Sequence, residues 1–139
     1  MPGVGANHKV LIVDDEKTIC RTLAAIFTKR GYETRTAYSA EQAVEVIAEW
    51  QPDLAILDVG LPNMNGIDLA IALETSHPAC RVLLFSGQPS TSDLLEQASQ
   101  GGHLFEILAK PVHPNLLLDT VANLLSANRE TIGNPPELN

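Results

Sequence analysis

The chain has 139 residues, of which 45% are apolar and 19% charged. That suits one domain with one core and is too apolar for a disordered chain. Nine basic against seventeen acidic residues give a formal charge of −8, which argues against direct nucleic-acid contact and fits a basic partner or a cation site. No apolar run approaches the ~18 residues of a membrane span. Met1 to Asn7 is small and polar, without the apolar segment of a signal peptide. Cys20 and Cys80 fall in separate predicted elements, outside any CxxC pair, and are expected as reduced thiols of a cytoplasmic protein.

Lys9 to Val13 reads as the first strand, apolar and β-branched at Val10, Ile12 and Val13. It runs into Asp14-Asp15-Glu16. Ile19, Leu23, Ile26 and Phe27 then recur at helical spacing, and Gly31 is the stop. Glu33 to Tyr38 is a more polar second strand, as an edge strand should be. Ser39 and Gln42 have the spacing of a capping box. The helix they open shows Ala43, Val44, Ile47 and Trp50, with Trp50 packing its C-terminal end, and Pro52 bars its continuation.

Leu54-Ala55-Ile56-Leu57-Asp58 is four apolar residues ending in a carboxylate, followed by a Gly-x-Pro turn. A run so short and apolar reads as a strand buried on both faces. The loop Gly60 to Gly66 leads to a third helix with Ile67, Ala70, Ile71 and Leu73, stopping at His77-Pro78. Arg81 to Phe85 is the fourth strand, ending in Ser86-Gly87. Ser90 to Ser99 is a more polar fourth helix. Leu104 to Leu108 is the fifth strand and ends at Lys110-Pro111. The last helix starts near Pro114 and carries Leu117, Leu118, Val121, Leu124 and Leu125, its pattern stopping after Asn128.

Five strand–helix alternations imply an α/β protein with a parallel sheet covered on both faces. Right-handed crossovers leave few topologies, of which the flavodoxin-like order 2-1-3-4-5 is one. The expected fold is thus a flavodoxin-like (βα)5 three-layer sandwich over residues 8–128, with flexible termini at 1–7 and 129–139.

In such a sheet all strand C-termini share one edge, where ligands bind. That edge receives Asp14 and Asp15, Asp58, Ser86 and Lys110. Each alone has a plain structural explanation. Asp14 and Asp15 could start a helix, Asp58 and Ser86 could serve turns, and Lys110 could be a surface lysine. Together they form a site. Three close carboxylates repel, and a hard divalent cation such as Mg2+ relieves that repulsion while keeping waters and a phosphate oxygen. Lys110 and Ser86 suit the oxygens of a phosphoryl group. The combination is built for phosphoryl transfer onto Asp58.

These residues resemble the receiver domain of two-component response regulators. The likeness rests on Val10 to Glu16, on Asp58-Val59-Gly60-Leu61-Pro62 with Gly66 four residues on, on Ser86-Gly87 and on Lys110-Pro111. It implies that Asp58 takes a phosphoryl group from a phosphohistidine of a sensor histidine kinase or a histidine phosphotransfer protein. It implies Mg2+ bound by Asp15, by Asp14 mainly through water, by Asp58 and by the Gly60 carbonyl. Ser86 would move toward the phosphoryl group, Lys110 would pair with it, and the Lys110–Pro111 bond would be cis. Phosphorylation would shift the face formed by the fourth helix, fifth strand and fifth helix toward a downstream output protein, an output domain or a homodimer. The resemblance leaves open a stand-alone protein or part of a longer regulator.

Two positions depart from the family pattern. Many receivers carry Tyr or Phe three residues before the lysine, where this chain has Ile107; Phe105 shares its strand parity. Gly60, two residues after Asp58, offers no side chain to guide or block water, and the family's acyl-phosphate lifetime depends on that position and on Gln88. An aspartyl-phosphate hydrolase of the haloacid-dehalogenase type would need a second Asp where Gly60 stands. A receiver-fold interaction module regulated without phosphate is the remaining alternative.

Overall fold

The computed structural model describes residues 8–87, 96, 99–102 and 105–133, with side chains described through residue 126. Five strands build one parallel sheet: β1 (Lys9–Val13), β2 (Glu33–Ala37), β3 (Leu54–Asp58), β4 (Arg81–Ser86) and β5 (Glu106–Ala109). Their order is β2-β1-β3-β4-β5, the flavodoxin-like order. Four helices lie among the described residues: α1 (Lys17–Lys29), α2 (Ala40–Glu49), α3 (Gly66–Ser76) and α4 (Pro114–Gly133). Most of the segment predicted as the fourth helix, Ser90 to Ser99, lies outside the described residues, as do Gln88, His103 and Leu104.

Strand alternation divides the core in two. Leu11, Val13, Ala55, Leu57 and Leu84 point to one face, under Ala43 and Ile47 of α2 and Leu69, Ala70 and Leu73 of α3. Val10, Ile12, Leu54, Ile56, Leu83 and Phe85 point to the other, under Cys20, Leu23 and Phe27 of α1 and Leu117 and Val121 of α4. β3 is central and buried at all five positions. That is why its sequence is an unbroken apolar run rather than an alternating one. β2, at the edge, alternates exposed and half-buried residues before Ala37.

Local chemistry sets the helix ends. Ser39 caps α2 by accepting from the Gln42 N–H at 3.0 Å, and the Gln42 side chain accepts from the Tyr38 N–H at 2.7 Å. The reciprocal capping pair therefore reaches one residue further back than the standard box. Trp50 follows α2 and is buried, its Nε1 donating to Glu33 at 3.2 Å beneath the Arg35 guanidinium. Asn65 caps α3 by accepting from the Asp68 N–H at 2.9 Å.

Some expectations need correcting. Val44 is 51% exposed, because α2 faces the sheet along the row Ala40, Ala43 and Ile47 and leaves Val44 on its flank. β2 stops at Ala37, β4 includes Ser86, and β5 runs Glu106–Ala109. α4 continues to Gly133, past Asn128 where the apolar pattern stops. The apolar pattern fades there, but no proline or glycine interrupts the chain before Gly133, and a polar stretch can extend a helix. Among the described residues no helix is long and apolar enough to cross a membrane. Both cysteines are free thiols, Cys20 buried and Cys80 partly buried.

Candidate functional site

The carboxyl edge of the sheet gathers the predicted residues. β1 ends at Val13 and hands the chain to Asp14 and Asp15, β3 ends in Asp58, β4 ends in Ser86, and β5 hands over to Lys110. Because the strands are parallel and in register, with Val13 beside Leu57 and Ser86 beside Ala109, these chain ends lie side by side. Asp14, Asp58 and Ser86 are the buried polar residues of the described structure, at 2%, 7% and 8% exposure. Asp15 is exposed.

Oxygens of Asp14, Asp15 and Asp58 all lie within 4.8 Å of one another. Lys110 enters this group. Its Nζ stands 2.9 Å from Asp14 Oδ2 and 3.2 Å from Asp58 Oδ1, bridging two carboxylates from different strands. The other Asp14 oxygen accepts the Glu16 N–H at 2.9 Å, and Asp58 Oδ1 also accepts the Gly60 N–H at 3.3 Å. The Lys110 backbone N–H donates to the Ser86 carbonyl at 2.9 Å, so β4 holds the base of the lysine. The Lys110–Pro111 peptide is cis, as expected.

Charge and burial leave marks on these groups. Burial and the neighbouring Asp14 raise the Asp58 carboxyl above its ordinary range, against the pull of Lys110 and the Gly60 N–H. Burial alone would lower Lys110, but bonds and attraction to Asp14 and Asp58 raise it overall. Lys110 is therefore a firm cation held between two anions. The chemistry is that of a hard site: three carboxylates, no sulfur or nitrogen donor among the clustered groups, and one exposed carboxylate facing water. Such oxygen donors fit a divalent cation that keeps part of its water.

The plain structural explanations are partly realised as well. Asp58 does serve a turn, through Gly60. Asp14 and Asp15 do not start α1: its N-cap is Glu16, which makes no side-chain capping bond, and its first turn holds no acidic residue. Ile107 and Phe105 pack against the same core cluster, as their shared parity requires, whereas Leu108 packs on the opposite face.

Two contributors escape a reading by residue type. Gly66 opens α3 directly against the end of β3; a Cβ there would overlap the Asp58 carbonyl oxygen and stand 2.8 Å from its carbonyl carbon. Its sequence signal is its place four residues after Pro62 in the motif that carries the likeness, which marks the glycine without showing what its missing side chain faces. Cys20 reaches the site's backbone from α1, its Sγ 3.3 Å from the Asp14 carbonyl oxygen. Its sequence signal, an apolar helical position, does not separate it from a core residue.

Comparison with known proteins agrees with this geometry. Residues 10–122 match the family model of the response regulator receiver domain. The chain is 31% identical over 119 residues to sporulation initiation phosphotransferase F of Bacillus subtilis (strain 168), covering 86% of this chain and 94% of that protein. It is also 31% identical over 119 residues to the DNA-binding transcriptional regulator NtrC of Azospirillum brasilense, but spans only 24% of that longer protein. Among solved structures, a CheY-like response regulator receiver domain protein from Methanospirillum hungatei JF-1 superposes with a TM-score of 0.81 at 26% identity, covering 89% of this chain and 98% of that one. The chain therefore belongs to the response regulator receiver domain family, the signalling modules of two-component systems.

Proposed function

We propose that Asp58 accepts a phosphoryl group from a phosphohistidine of a sensor histidine kinase or a histidine phosphotransfer protein, and that the change switches protein contacts. The observation that carries this reading is the Lys110 bridge between Asp14 Oδ2 and Asp58 Oδ1, at 2.9 and 3.2 Å, beside three clustered carboxylates. A structural ion pair needs one carboxylate. A lysine shared between two, with a third beside them, supplies mobile positive charge where phosphoryl oxygens would arrive.

In the transfer an Asp58 carboxylate oxygen attacks phosphorus and forms the O–P bond. The N–P bond of the donor breaks, and its electron pair returns to the imidazole, which takes up a proton. Lys110 then exchanges a carboxylate oxygen for a phosphoryl oxygen, and the Ser86 hydroxyl donates to another. Asp14, Asp15, Asp58 and the Gly60 carbonyl would hold Mg2+. When bound, Mg2+ would offset the charge of the carboxylates and the incoming phosphoryl group. The downstream partner in this reading is an output protein, an output domain or a second copy of the chain, and the site of action is the cytoplasm.

A second reading, a receiver-fold module whose contacts ignore phosphate, draws on Ile107, which puts an aliphatic core residue where many receivers carry an aromatic readout. Intact-mass spectrometry after incubation with acetyl phosphate and Mg2+, and then with a phosphorylated histidine donor, separates the two. We expect a single phosphoryl adduct that requires Mg2+ and is absent in Asp58→Asn. A folded protein that stays unmodified with both donors overturns phosphoryl acceptance and leaves the phosphate-independent module.

A further inference from the structure

We infer that Cys20 is a positioning residue for this site, its thiol holding the backbone of Asp14 and thereby the Asp14–Asp15 carboxylate pair. The inference rests on the phosphoryl-acceptor reading above. Cys20 is fully buried on α1, yet its thiol is not packed among side chains alone. Its Sγ lies 3.3 Å from the Asp14 carbonyl oxygen, 3.8 Å from that of Ala37 and 3.9 Å from that of Ile12. A thiol has one proton, and the shortest of the three contacts directs it to Asp14.

The Asp14 carbonyl sits where regular structure supplies no donor. The pairing of β1 with β2 and β3 ends at Val13, and the first backbone bond of α1, from Cys20, reaches back only to Glu16. Asp14 is thus held at four points. Its N–H donates to Ala37, its carbonyl accepts from the thiol, and its two carboxylate oxygens accept from Glu16 and Lys110. Two of these, to Ala37 and Lys110, belong to the strand end and the site itself, while the Glu16 N–H and the thiol tie Asp14 to α1, one at its N-cap and one in its first turn. The thiol is the tie that holds the Asp14 carbonyl, and it fixes the turn on which Asp15 follows. Outer partners that orient ligands commonly change metal affinity tenfold or more. A thiol is a weak donor, so the expected effect is smaller.

The test compares Cys20→Ser, which keeps a donor, with Cys20→Val, which keeps apolar volume without one. Mg2+ affinity is read by calorimetry with no phosphoryl donor present, and adduct formation from acetyl phosphate by intact mass. Urea denaturation in EDTA checks that each variant is folded. We expect Cys20→Val to bind Mg2+ about threefold more weakly and to phosphorylate correspondingly more slowly, with Cys20→Ser within about twofold of the parent. A folded Cys20→Val with parental Mg2+ affinity overturns the inference. So does a Cys20→Ser that loses as much as Cys20→Val, because the loss then follows packing rather than the hydrogen bond. If the parent chain binds no Mg2+ and takes no phosphoryl group, the phosphoryl-acceptor reading itself fails. If the parent works and the variants match it, only the role of Cys20 fails.

Discussion

Gly66 sets its bare α-carbon against the carbonyl group of Asp58, with room for no Cβ: the carbonyl carbon would lie 2.8 Å away and Val59 Cα 3.0 Å. The Gly66 N–H donates to the Val59 carbonyl at 3.1 Å, closing the loop from Asp58 back onto the start of α3. The atoms in the way are backbone at and just past the end of the central strand and cannot rotate aside. Gly66→Ala must push α3 off the end of β3 or move Asp58. Overpacking of this kind costs about 2 kcal/mol. We expect the unfolding free energy to fall by that amount, read as a lower urea midpoint with an unchanged slope, and phosphoryl acceptance to slow. A variant as stable as the parent would mean that α3 shifts freely and that the contact does not position Asp58.

Lys110 can be separated from the proposed metal ligands by what its loss does. Lys110→Met removes a cation from between Asp14 and Asp58 and leaves their repulsion unrelieved. Metal-free stability should fall by about 2 kcal/mol, less than for a fully enclosed pair because the lysine side chain is 21% exposed. Mg2+ should bind at least as tightly, since a competing positive charge is gone. Phosphorylation should nonetheless slow by about 100-fold, the usual cost of removing one donor aimed at developing charge. Calorimetry and intact-mass kinetics on the same variant check both directions. Weaker Mg2+ binding would show that Lys110 acts by shaping the acidic cluster rather than by meeting the phosphoryl group.

Much of this site could be read before any coordinates, for a topological reason. Asp14, Asp58, Ser86 and Lys110 each sit at or just past the end of an apolar run, and a parallel sheet brings all such ends to one edge. Local sequence is enough to place them. What it does not carry is contact between backbone and backbone. Gly66 belongs to the motif after Asp58, but only the fold shows that its missing side chain faces Asp58. Cys20 has the spacing of a core residue and is one, so its bond to Asp14 has no separate signature. Val44 obeys the helical pattern yet lies on the flank, because the width of the buried stripe is set by the sheet and not by the helix. The apolar Leu104 and Phe105 predict a fifth strand that begins two residues early, whereas pairing with β4 begins at Glu106.

Asp58 should be a destabilising residue in the absence of metal. Its carboxyl is raised, first by burial and then by Asp14, so the folded chain holds that proton more firmly than the unfolded one. Above the ordinary carboxylate range the unfolded state therefore ionises more readily, and the folded state carries the cost. Asp58→Asn removes that cost. At neutral pH in EDTA we expect it to be more stable by on the order of 1 kcal/mol. The advantage should shrink as pH falls through the carboxylate range and the parent takes up its proton. Saturating Mg2+ should narrow or reverse it, because the parent gains binding free energy that the variant lacks. Urea midpoints at neutral and acid pH, with and without Mg2+, give the four values needed. A variant less stable than the parent in EDTA would show that the bond to Lys110 outweighs burial.

The two thiols should be nearly inert in the folded chain and should weaken it at high pH. Burial, with Asp14 adding, pushes Cys20 from 9.0 up to about 11, and burial, with Asp53 adding, pushes Cys80 up to about 12. Near pH 8 the thiolate fraction then falls by about a hundredfold for Cys20 and a thousandfold for Cys80 relative to a free thiol. Both residues should react with a thiol reagent at full rate only in denaturant. The sign for stability follows from proton counts. Above pH 9 the unfolded thiols ionise while the folded ones stay protonated, so the folded state binds more protons and stability declines as pH rises. The contribution is fully present below 9 and is lost progressively from there through about 11 to 12. Replacing Cys80 by Ala should flatten that alkaline decline even if it costs stability at pH 7 through the lost side chain. An equal alkaline slope in the variant would place the decline on other groups, with Tyr32, also raised by burial, the next to test.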